Sequence, residues 1–240
     1  MIEKCNQMVK MAEIAYLDGE EAKARYKDLG YSYHKFIEKD GAQCHVVWNK
    51  NEISVCFRGT EPDEFSDIKA DLNALPDRAH NGHGFVHNGF QEELNKVWGT
   101  VVNVLDKHKT DRKVYITGHS LGGAMATLAA SRCKPDALYT YGSPRAGTRK
   151  FVKSFNTPHY RHVNNNDIVP KVPFAFLGYK HHGTLRYINY YGNIRKLTYW
   201  QRLKDQWRGR KQAWKKKVPF DGAYDHGMAY YVKYTEKNDG

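Results

Sequence analysis

A serine flanked by glycines at two-residue spacing is the first feature of this chain that could do chemistry. Gly118, Ser120 and Gly122 follow an apolar run at 114–117, which predicts a strand buried on both faces, and residues 124–131 favour a helix. On such a strand-to-helix turn a serine points its hydroxyl out of the sheet, and glycines at these two positions avoid collisions with the neighbouring chain. The spacing therefore predicts a nucleophilic serine.

A histidine must accept the proton of such a serine, and a carboxylate must orient that histidine. On a strand-turn-helix architecture of this kind the partners follow the serine in the order Asp, His. Asp167 comes after a predicted strand at Tyr160–Val163, at the carboxyl end where sites in such sheets lie. Of the histidines that follow, His226 is in a glycine-flanked loop, whereas His181 and His182 begin a strand-like segment that we expect to be solvated. The sequence thus favours Asp167 as the acid and His226 as the base.

Other residues near this set are weaker candidates. His119 is adjacent to the serine, but a neighbouring side chain on the elbow points away from the nucleophile, so it is not expected to be the base. Asp221 and Asp225 lie beside His226 and stay open as alternative acids. His80, His83 and His87 have a spacing seen in metal sites, but no acidic or thiolate residues accompany them, so neither a metal nor any other cofactor is expected.

The elements that would position these residues alternate between strands and helices. An opening helix is predicted from Ile2 to Tyr16 and ends at Gly19, and a three-stranded meander follows. Such alternation predicts an α/β fold with a mostly parallel central sheet flanked by helices, organised as one domain over residues 1–240. The remaining predicted elements are the meander strands Tyr31–Glu38, Gln43–Trp48 and Ile53–Phe57, a long helix over 90–105, strands at Ala137–Tyr141 and Tyr160–Val163, and a short helix at Lys150–Phe155.

Size and charge set the range of functions. The chain has 240 residues, 40% apolar and 27% charged, which excludes a disordered or fibrous protein. Its formal net charge of +12 calls for an anionic partner to be considered: a nucleic acid, an anionic membrane or an acidic substrate. Aromatic motifs of the ribonucleoprotein type are absent, so no nucleic-acid partner is expected. The sequence says nothing about oligomeric state.

Cysteine usage and the N-terminus indicate a reducing compartment. Four scattered cysteines cannot make a disulfide scaffold, and Cys44 with Cys56 are better explained as two buried thiols than as a cross-strand disulfide. Charged residues interrupt the first fifteen positions, where a signal peptide needs an apolar run. We expect a cytoplasmic location, with peripheral association with a membrane left open.

A basic amphipathic helix is predicted over 198–217, near the C-terminus. Trp200, Leu203, Trp207 and Trp214 fall on one face of it. Either these tryptophans anchor the protein at an anionic interface, or they pack on the protein body while the surrounding cations are solvated. Those cations are Arg202, Lys204, Arg208, Arg210, Lys211, Lys215, Lys216 and Lys217.

Six sequence blocks follow one another over roughly residues 30 to 230: Phe57–Thr60, Val86–Phe90, Ile116–Ala124, Tyr141–Arg145, Asn166–Pro170 and Asp225–His226. In their sequences and in their order they resemble the class 3 lipases, the fungal-lipase-like α/β-hydrolases. The resemblance implies an α/β-hydrolase fold and a serine carboxylic-ester hydrolase that acts on lipids, a triacylglycerol lipase or esterase working through an acyl-enzyme.

The resemblance also implies roles for individual residues. Ser120, Asp167 and His226 would be the catalytic triad, and the backbone N–H groups of Thr60 and Leu121 would form the oxyanion hole. The chain departs from the family at residues 67–71, which lack the tryptophan often found in the lid region. Two alternatives stay open: a phospholipase A1-type acylhydrolase on anionic membranes, and a non-catalytic protein that binds anionic surfaces on a hydrolase fold.

Overall fold

The structure is a computed structural model that describes residues 2–59, 76–215, 217 and 221–238. Its centre is an eight-stranded sheet in the order β1-β2-β3-β6-β7-β9-β11-β12, and four short strands form a second, antiparallel sheet in the order β10-β8-β5-β4. The strands are β1 (Tyr33–Lys39), β2 (Ala42–Trp48), β3 (Glu52–Phe57), β4 (Pro76–Arg78), β5 (Phe85–His87), β6 (Lys113–His119), β7 (Ala137–Tyr141), β8 (Gly147–Thr148), β9 (His159–Asn164), β10 (Tyr179–Lys180), β11 (Thr184–Ile188) and β12 (Ile194–Arg195).

The middle of the large sheet is parallel, as predicted. Strands β3, β6, β7, β9 and β11 run in one direction, and only the pairs β1-β2, β2-β3 and β11-β12 are antiparallel. Strand β7 is buried at all five positions, because a parallel strand is covered by helices on both faces. The carboxyl ends of these strands meet at one edge of the sheet, so the residues that follow them converge there.

Helices cover both faces of the sheet. The helices are α1 (Ile2–Ile14), α2 (Gly19–Asp28), α3 (Asn88–His108), α4 (Leu121–Cys133), α5 (Arg149–Val152), α6 (Tyr199–Lys215), α7 (Asp221–Tyr224) and α8 (Met228–Lys237). On one face, α3 and α4 pack on Val46, Val55 and Ile116 to form one hydrophobic cluster. On the other, α1 and α2 pack with Tyr139 and Tyr231 in a second cluster. No helix of the described ranges is both long and apolar enough to span a membrane.

Two details of the predicted elements were wrong. Gly19 begins the second helix instead of ending the first, because Asp18 has an extended backbone that can start a helix and the first turn carries two glutamates, which the helix N-terminus favours. His181 and His182 are half-buried and not solvated. The Nε2–H of His181 donates to Pro170 O (2.8 Å) and that of His182 to Phe155 O (3.2 Å), so both rings brace the loop and strand beside them.

All four cysteines are free thiols. Cys44 lies opposite Phe57 and Cys56 lies opposite His45, so the two thiols are one residue out of register. Because alternate residues of a strand point to opposite faces, these thiols belong to the two separate hydrophobic clusters. Burial raises the pKa of Cys56 to about 12 and that of Cys133 to about 12, which keeps both groups protonated.

Candidate active site

The serine elbow has the strained geometry that its sequence predicts. Ser120 follows β6 directly and has φ 55° and ψ −129°, a conformation that non-glycine residues rarely adopt. A Cβ on Gly118 would collide with the backbone of Gly122, and one on Gly122 would collide with Phe57 O and lie 2.8 Å from the carbonyl carbon of Arg58. The close approach of helix α4 to strands β6 and β3 therefore requires both glycines, and it holds the serine at the tip of the turn.

The serine hydroxyl is buried and aimed at no acceptor in the described part of the chain. Ser120 is 1% exposed, and its Oγ has no hydrogen-bond partner among those residues. In unliganded hydrolases the bond from nucleophile to base is often long and tightens only when substrate binds.

The backbone next to the serine supplies one of the two N–H groups predicted to bind an oxyanion. Leu121 is the first residue of α4, so its N–H has no acceptor within the helix and lies at the positive end of the helix dipole. Thr60, the second predicted donor, lies outside the described residues, as do residues 67–71 of the lid region. The chain that leads to Thr60 passes against the elbow, because a Cβ on Gly59 would lie 3.2 Å from Ser120 Cβ.

Asp167 and His226 are in contact in the interior. His226 Nδ1 lies 3.0 Å from Asp167 Oδ2 and 3.1 Å from Oδ1, and the two residues are 3% and 0% exposed. A carboxylate can only accept, so Nδ1 carries the proton of the neutral imidazole and Nε2 is the basic nitrogen. This is the tautomer that a general base for a serine needs.

Two further donors hold the carboxylate in place. The Tyr231 hydroxyl donates to Asp167 Oδ2 at 2.5 Å, and the Val169 N–H donates to Oδ1 at 2.9 Å. Burial, followed by the nearby Asp167 carboxylate, raises the pKa of Tyr231 well above its ordinary value, so the phenol stays protonated and donates. The buried charge of Asp167 is therefore compensated by an imidazole, a phenol and a backbone amide.

His119 connects the elbow to His226 in a role that the sequence does not reveal. Its Nε2 lies 2.8 Å from His226 O and its Nδ1 lies 2.8 Å from the Tyr16 hydroxyl. Because a carbonyl only accepts, His119 Nε2–H donates to His226 and Nδ1 accepts from Tyr16. Burial, together with the nearby His226, lowers the pKa of His119 well below its ordinary value, so this ring is neutral. It also stacks on the His226 ring, with a centroid distance of 4.5 Å.

Of the two alternative acids, Asp225 is bonded to the residues that precede Asp167. Asp225 Oδ2 accepts the Asn166 N–H at 2.9 Å, and the Asn164 side-chain amide donates to Asp225 O at 2.9 Å. Asp225 thus fastens the loop of Asp167 to the loop of His226, and Asp221 begins the short helix α7. Of the predicted site residues, the structure places Asp167 against His226 and places Ser120 with Leu121 at the elbow, where His119 joins the two groups.

Gly142 is a further position at which the site requires glycine. Gly142 has φ 58°, and a Cβ on it would lie 2.8 Å from His226 Nδ1 and 2.9 Å from Asp167 Oδ2. Its position directly after strand β7 could have predicted that it lies near this pair, since residues at the carboxyl ends of neighbouring parallel strands converge. Tyr16 and Tyr231 gave no such signal, because their positions depend on how α1 and α8 pack.

No metal centre forms within the described ranges, where no three His, Cys, Asp or Glu side chains converge. Of the three histidines with metal-like spacing, His87 is buried and its ring stacks on Phe90 at a centroid distance of 4.0 Å. This histidine therefore serves the hydrophobic packing at the start of α3.

A strained serine on a strand-to-helix turn of a mostly parallel sheet, with a buried Asp-His pair beyond it, defines the serine hydrolases of the α/β-hydrolase fold. Residues 54–177 match the family model described as Lipase (class 3). That match spans half of the chain, so the chain belongs to the class 3 lipase family, and the resemblance seen in its sequence blocks is confirmed.

Individual relatives agree with this family. Toxin TseL of Vibrio cholerae serotype O1 is 43% identical over 150 residues, which cover 60% of this chain and 23% of the toxin. The lipase of Rhizomucor miehei is 36% identical over 151 residues, which cover 56% of this chain and 41% of that lipase. The chain thus spans less than half the length of either relative.

Solved structures support the α/β-hydrolase fold. The R. miehei triacylglyceride lipase aligns with TM-score 0.64 at 28% identity, over 78% of this chain and 80% of that chain. A triacylglycerol lipase whose catalytic centre is described as a serine protease triad aligns with TM-score 0.69 at 25% identity, over 94% of this chain and 92% of that chain. The predicted fold class is therefore confirmed.

Proposed function

We propose that this protein hydrolyses carboxylic esters of lipids, with Ser120 as nucleophile, His226 as general base and Asp167 as the acid that orients it. The observation that carries the proposal is the buried contact of His226 Nδ1 with Asp167, next to a serine at positive φ. Membership of a lipase family supports it. Among the relatives, a triacylglycerol lipase and a secreted mono- and diacylglycerol lipase of Fusarium solani suggest acyl glycerols as the substrate class.

The geometry fits acyl transfer in two steps. In the first, His226 Nε2 takes the Ser120 proton while Oγ attacks the ester carbonyl carbon, and Asp167 stabilises the resulting imidazolium. The carbonyl oxygen becomes an oxyanion near the N-terminus of α4, where the N–H of Leu121, with that of Thr60, would stabilise it. The imidazolium then protonates the leaving alcohol, which leaves an acyl-serine. In the second step His226 activates a water that releases the carboxylic acid and restores the serine.

A phospholipase A1-type acylhydrolase on anionic membranes is the second candidate. It is favoured by helix α6, whose tryptophans are exposed beside a row of cations. The same catalytic residues would serve both substrates, because each is a carboxylic ester on glycerol. A non-catalytic protein on this fold is disfavoured, since a strained serine next to a buried Asp-His pair costs stability that a purely structural role does not require.

The test compares Ser120→Ala with Ser32→Ala, a matched change at an exposed serine before β1. We expect hydrolysis of p-nitrophenyl butyrate to fall by at least about three orders of magnitude in the first variant and to stay unchanged in the second, because the triad acts as a unit. A fluorophosphonate probe should modify Ser120 alone, as located by peptide mass spectrometry. Labelling at another serine, or retention of a tenth of the turnover by Ser120→Ala, would refute the proposal. Parallel assays with triacylglycerol emulsions and phosphatidylglycerol vesicles separate the two candidate substrates.

A further inference from the structure

Helix α6 carries a surface that the proposed chemistry does not use. We infer that its tryptophan face, made of Trp200, Trp207 and Trp214, docks the protein on anionic phospholipid membranes and thereby presents the active site to the bilayer. Docking needs no catalysis, and only the presentation of the active site rests on the proposed lipid hydrolysis. The interpretation in which these tryptophans pack on the protein body is wrong.

The tryptophan face is almost fully exposed. Trp200, Trp207 and Trp214 are 72%, 65% and 81% exposed. They are spaced by seven residues, so they form one stripe along the helix that is about 21 Å long at 1.5 Å per residue. Exposure of three such side chains to water is unfavourable. At membrane-water interfaces tryptophan is enriched, because its ring is buried there while its N–H stays hydrated.

Cations line one flank of this stripe. Lys204, Arg208, Lys211 and Lys215 are exposed and project within about a quarter turn of the tryptophans when placed at 100° per residue. Lys211 Nζ lies 5.3 Å from the Trp207 ring centroid, so charge and aromatic surface are adjacent. A helix with tryptophans on one face and cations beside them matches a helix that lies in an anionic lipid surface.

The opposite face of α6 is fixed to the loop of the catalytic acid. Asp205 is 4% exposed and accepts from the side-chain amide of Asn165 at 2.6 Å and from the Tyr187 hydroxyl at 3.0 Å. Asn166 Nδ2 donates to Gln206 O at 3.0 Å, and Gln206 Nε2 donates to Asn165 O at 3.1 Å. These bonds tie the helix to the residues just before Asp167. The tryptophan face must therefore point away from the protein body, at a fixed orientation to the site.

At Gly209 the backbone of α6 packs directly against the side chains of Asn165 and Asn166, which leaves no room for a Cβ. A Cβ on Gly209 would lie 2.8 Å from Asn166 Nδ2 and closer still to Asn165 Oδ1. The buried face of α6 is therefore small and polar, with Asp205 and Gly209 as its two buried residues. Such a face positions a helix well but offers little apolar burial, which explains why the large aromatic side chains remain outside.

Charge and shape favour a membrane over other occupants. A second copy of this chain would bring two cationic flanks together, at a net charge of +12 for each copy. Single-stranded nucleic acids need a groove in which successive bases stack on aromatic rings, whereas these rings lie two helical turns apart on a convex helix. An anionic bilayer accepts both the aromatic stripe and the cations.

The binding test uses Ser120→Ala, so that lipid is not consumed. It measures partition into vesicles of phosphatidylglycerol with phosphatidylcholine, and into vesicles of phosphatidylcholine alone. One lysine near an anionic surface strengthens binding by about fivefold, so Lys204→Gln, Lys211→Gln and Lys215→Gln together should weaken binding to anionic vesicles by about a hundredfold. The matched control replaces by glutamine three exposed lysines on strand β1 and in the turn between β2 and β3, which are Lys35, Lys39 and Lys50. This control should change binding by less than about threefold.

The tryptophans supply a second readout. On binding, brominated lipids should quench Trp200, Trp207 and Trp214, while Trp48 and Trp98, which pack on the core, should be unaffected. With Ser120 intact, replacing the three exposed tryptophans by alanine should abolish hydrolysis of anionic vesicles but leave turnover of p-nitrophenyl butyrate within twofold.

The outcomes separate this proposal from the proposed function. Equal binding to both vesicle types, equal losses in the two lysine variants, or vesicle binding that survives the tryptophan substitutions would overturn the docking surface. Light scattering that shows a dimer dissociated by those substitutions would assign the face to a second copy instead. If the protein binds anionic vesicles but hydrolyses no ester, docking stands and the proposed function fails. If it hydrolyses soluble esters but binds no vesicle, the proposed function stands and docking fails.

Discussion

Replacing Tyr231 by phenylalanine removes one oxygen from the centre of the site. That oxygen donates to Asp167 at 2.5 Å and accepts the Asn164 N–H at 3.0 Å. A hydrogen bond to a charged group contributes about 1.5–3 kcal/mol, and the buried Asn164 N–H would be left without its acceptor. We therefore expect Tyr231→Phe to lower the free energy of unfolding by at least about 2 kcal/mol.

The same change has a kinetic signature. The phenol is one of the groups that hold the Asp167 carboxylate in position, so without it Asp167 should orient the His226 ring less well. The value of kcat/KM should then fall by roughly tenfold, which corresponds to about 1.4 kcal/mol.

Urea unfolding and kcat/KM on p-nitrophenyl butyrate measure the two effects. The control is Tyr230→Phe, at a half-buried tyrosine in the same helix. Unfolding of Tyr231→Phe within about 0.5 kcal/mol of the wild type, or a kcat/KM equal to that of the control, would contradict the prediction.

Three further changes test other contacts of the site. Asp167→Asn should lower kcat by roughly 10⁴, whereas Asp225→Asn, which loosens a loop contact, should lower it by less than about tenfold. The reverse order in ester assays would assign the role of the acid to Asp225. Gly142→Ala should reduce turnover far more than Gly82→Ala, since both have positive φ but only the first Cβ would reach the Asp-His pair; equal losses would leave backbone strain as the cause. Burial lowers the pKa of His162 to about 3, so below pH 6.5 the unfolded chain binds a proton that the native state excludes. The free energy of unfolding should therefore fall as the pH is lowered. In His162→Gln its change per pH unit should be smaller by about 1.4 kcal/mol, as measured by urea titrations between pH 7 and 4.

The elbow and the parallel sheet could be predicted from sequence because their signals are local. The buried strand, the glycine spacing around Ser120 and the helix after it all lie within residues 114–131, and backbone sterics alone require the glycines. Asp167 was also accessible, since it directly follows a predicted strand and carboxyl ends of parallel strands meet. The resemblance to a family then supplied the order of the blocks.

The contacts that steady the histidine could not be predicted in this way. Tyr16 reaches His119 across 103 positions and Tyr231 reaches Asp167 across 64, and both contacts depend on the packing of α1 and α8. A hydrophobic period identifies the apolar side of a helix but not what covers it. Helix α6 shows this limit, because its buried side is the polar one with Asp205, and its apolar side is exposed.

The brace from Tyr16 through His119 to His226 has a consequence for the order of events during synthesis. His226 lies 59 positions after Asp167, so at 5–20 residues per second the ribosome adds His226 roughly 3–12 seconds after Asp167. Until then the emerging chain holds Ser120 without its proposed base, and helix α1 lacks helix α8, which packs against it. We therefore expect the chain to gain esterase activity only after His226 has been added and α8 has packed against α1.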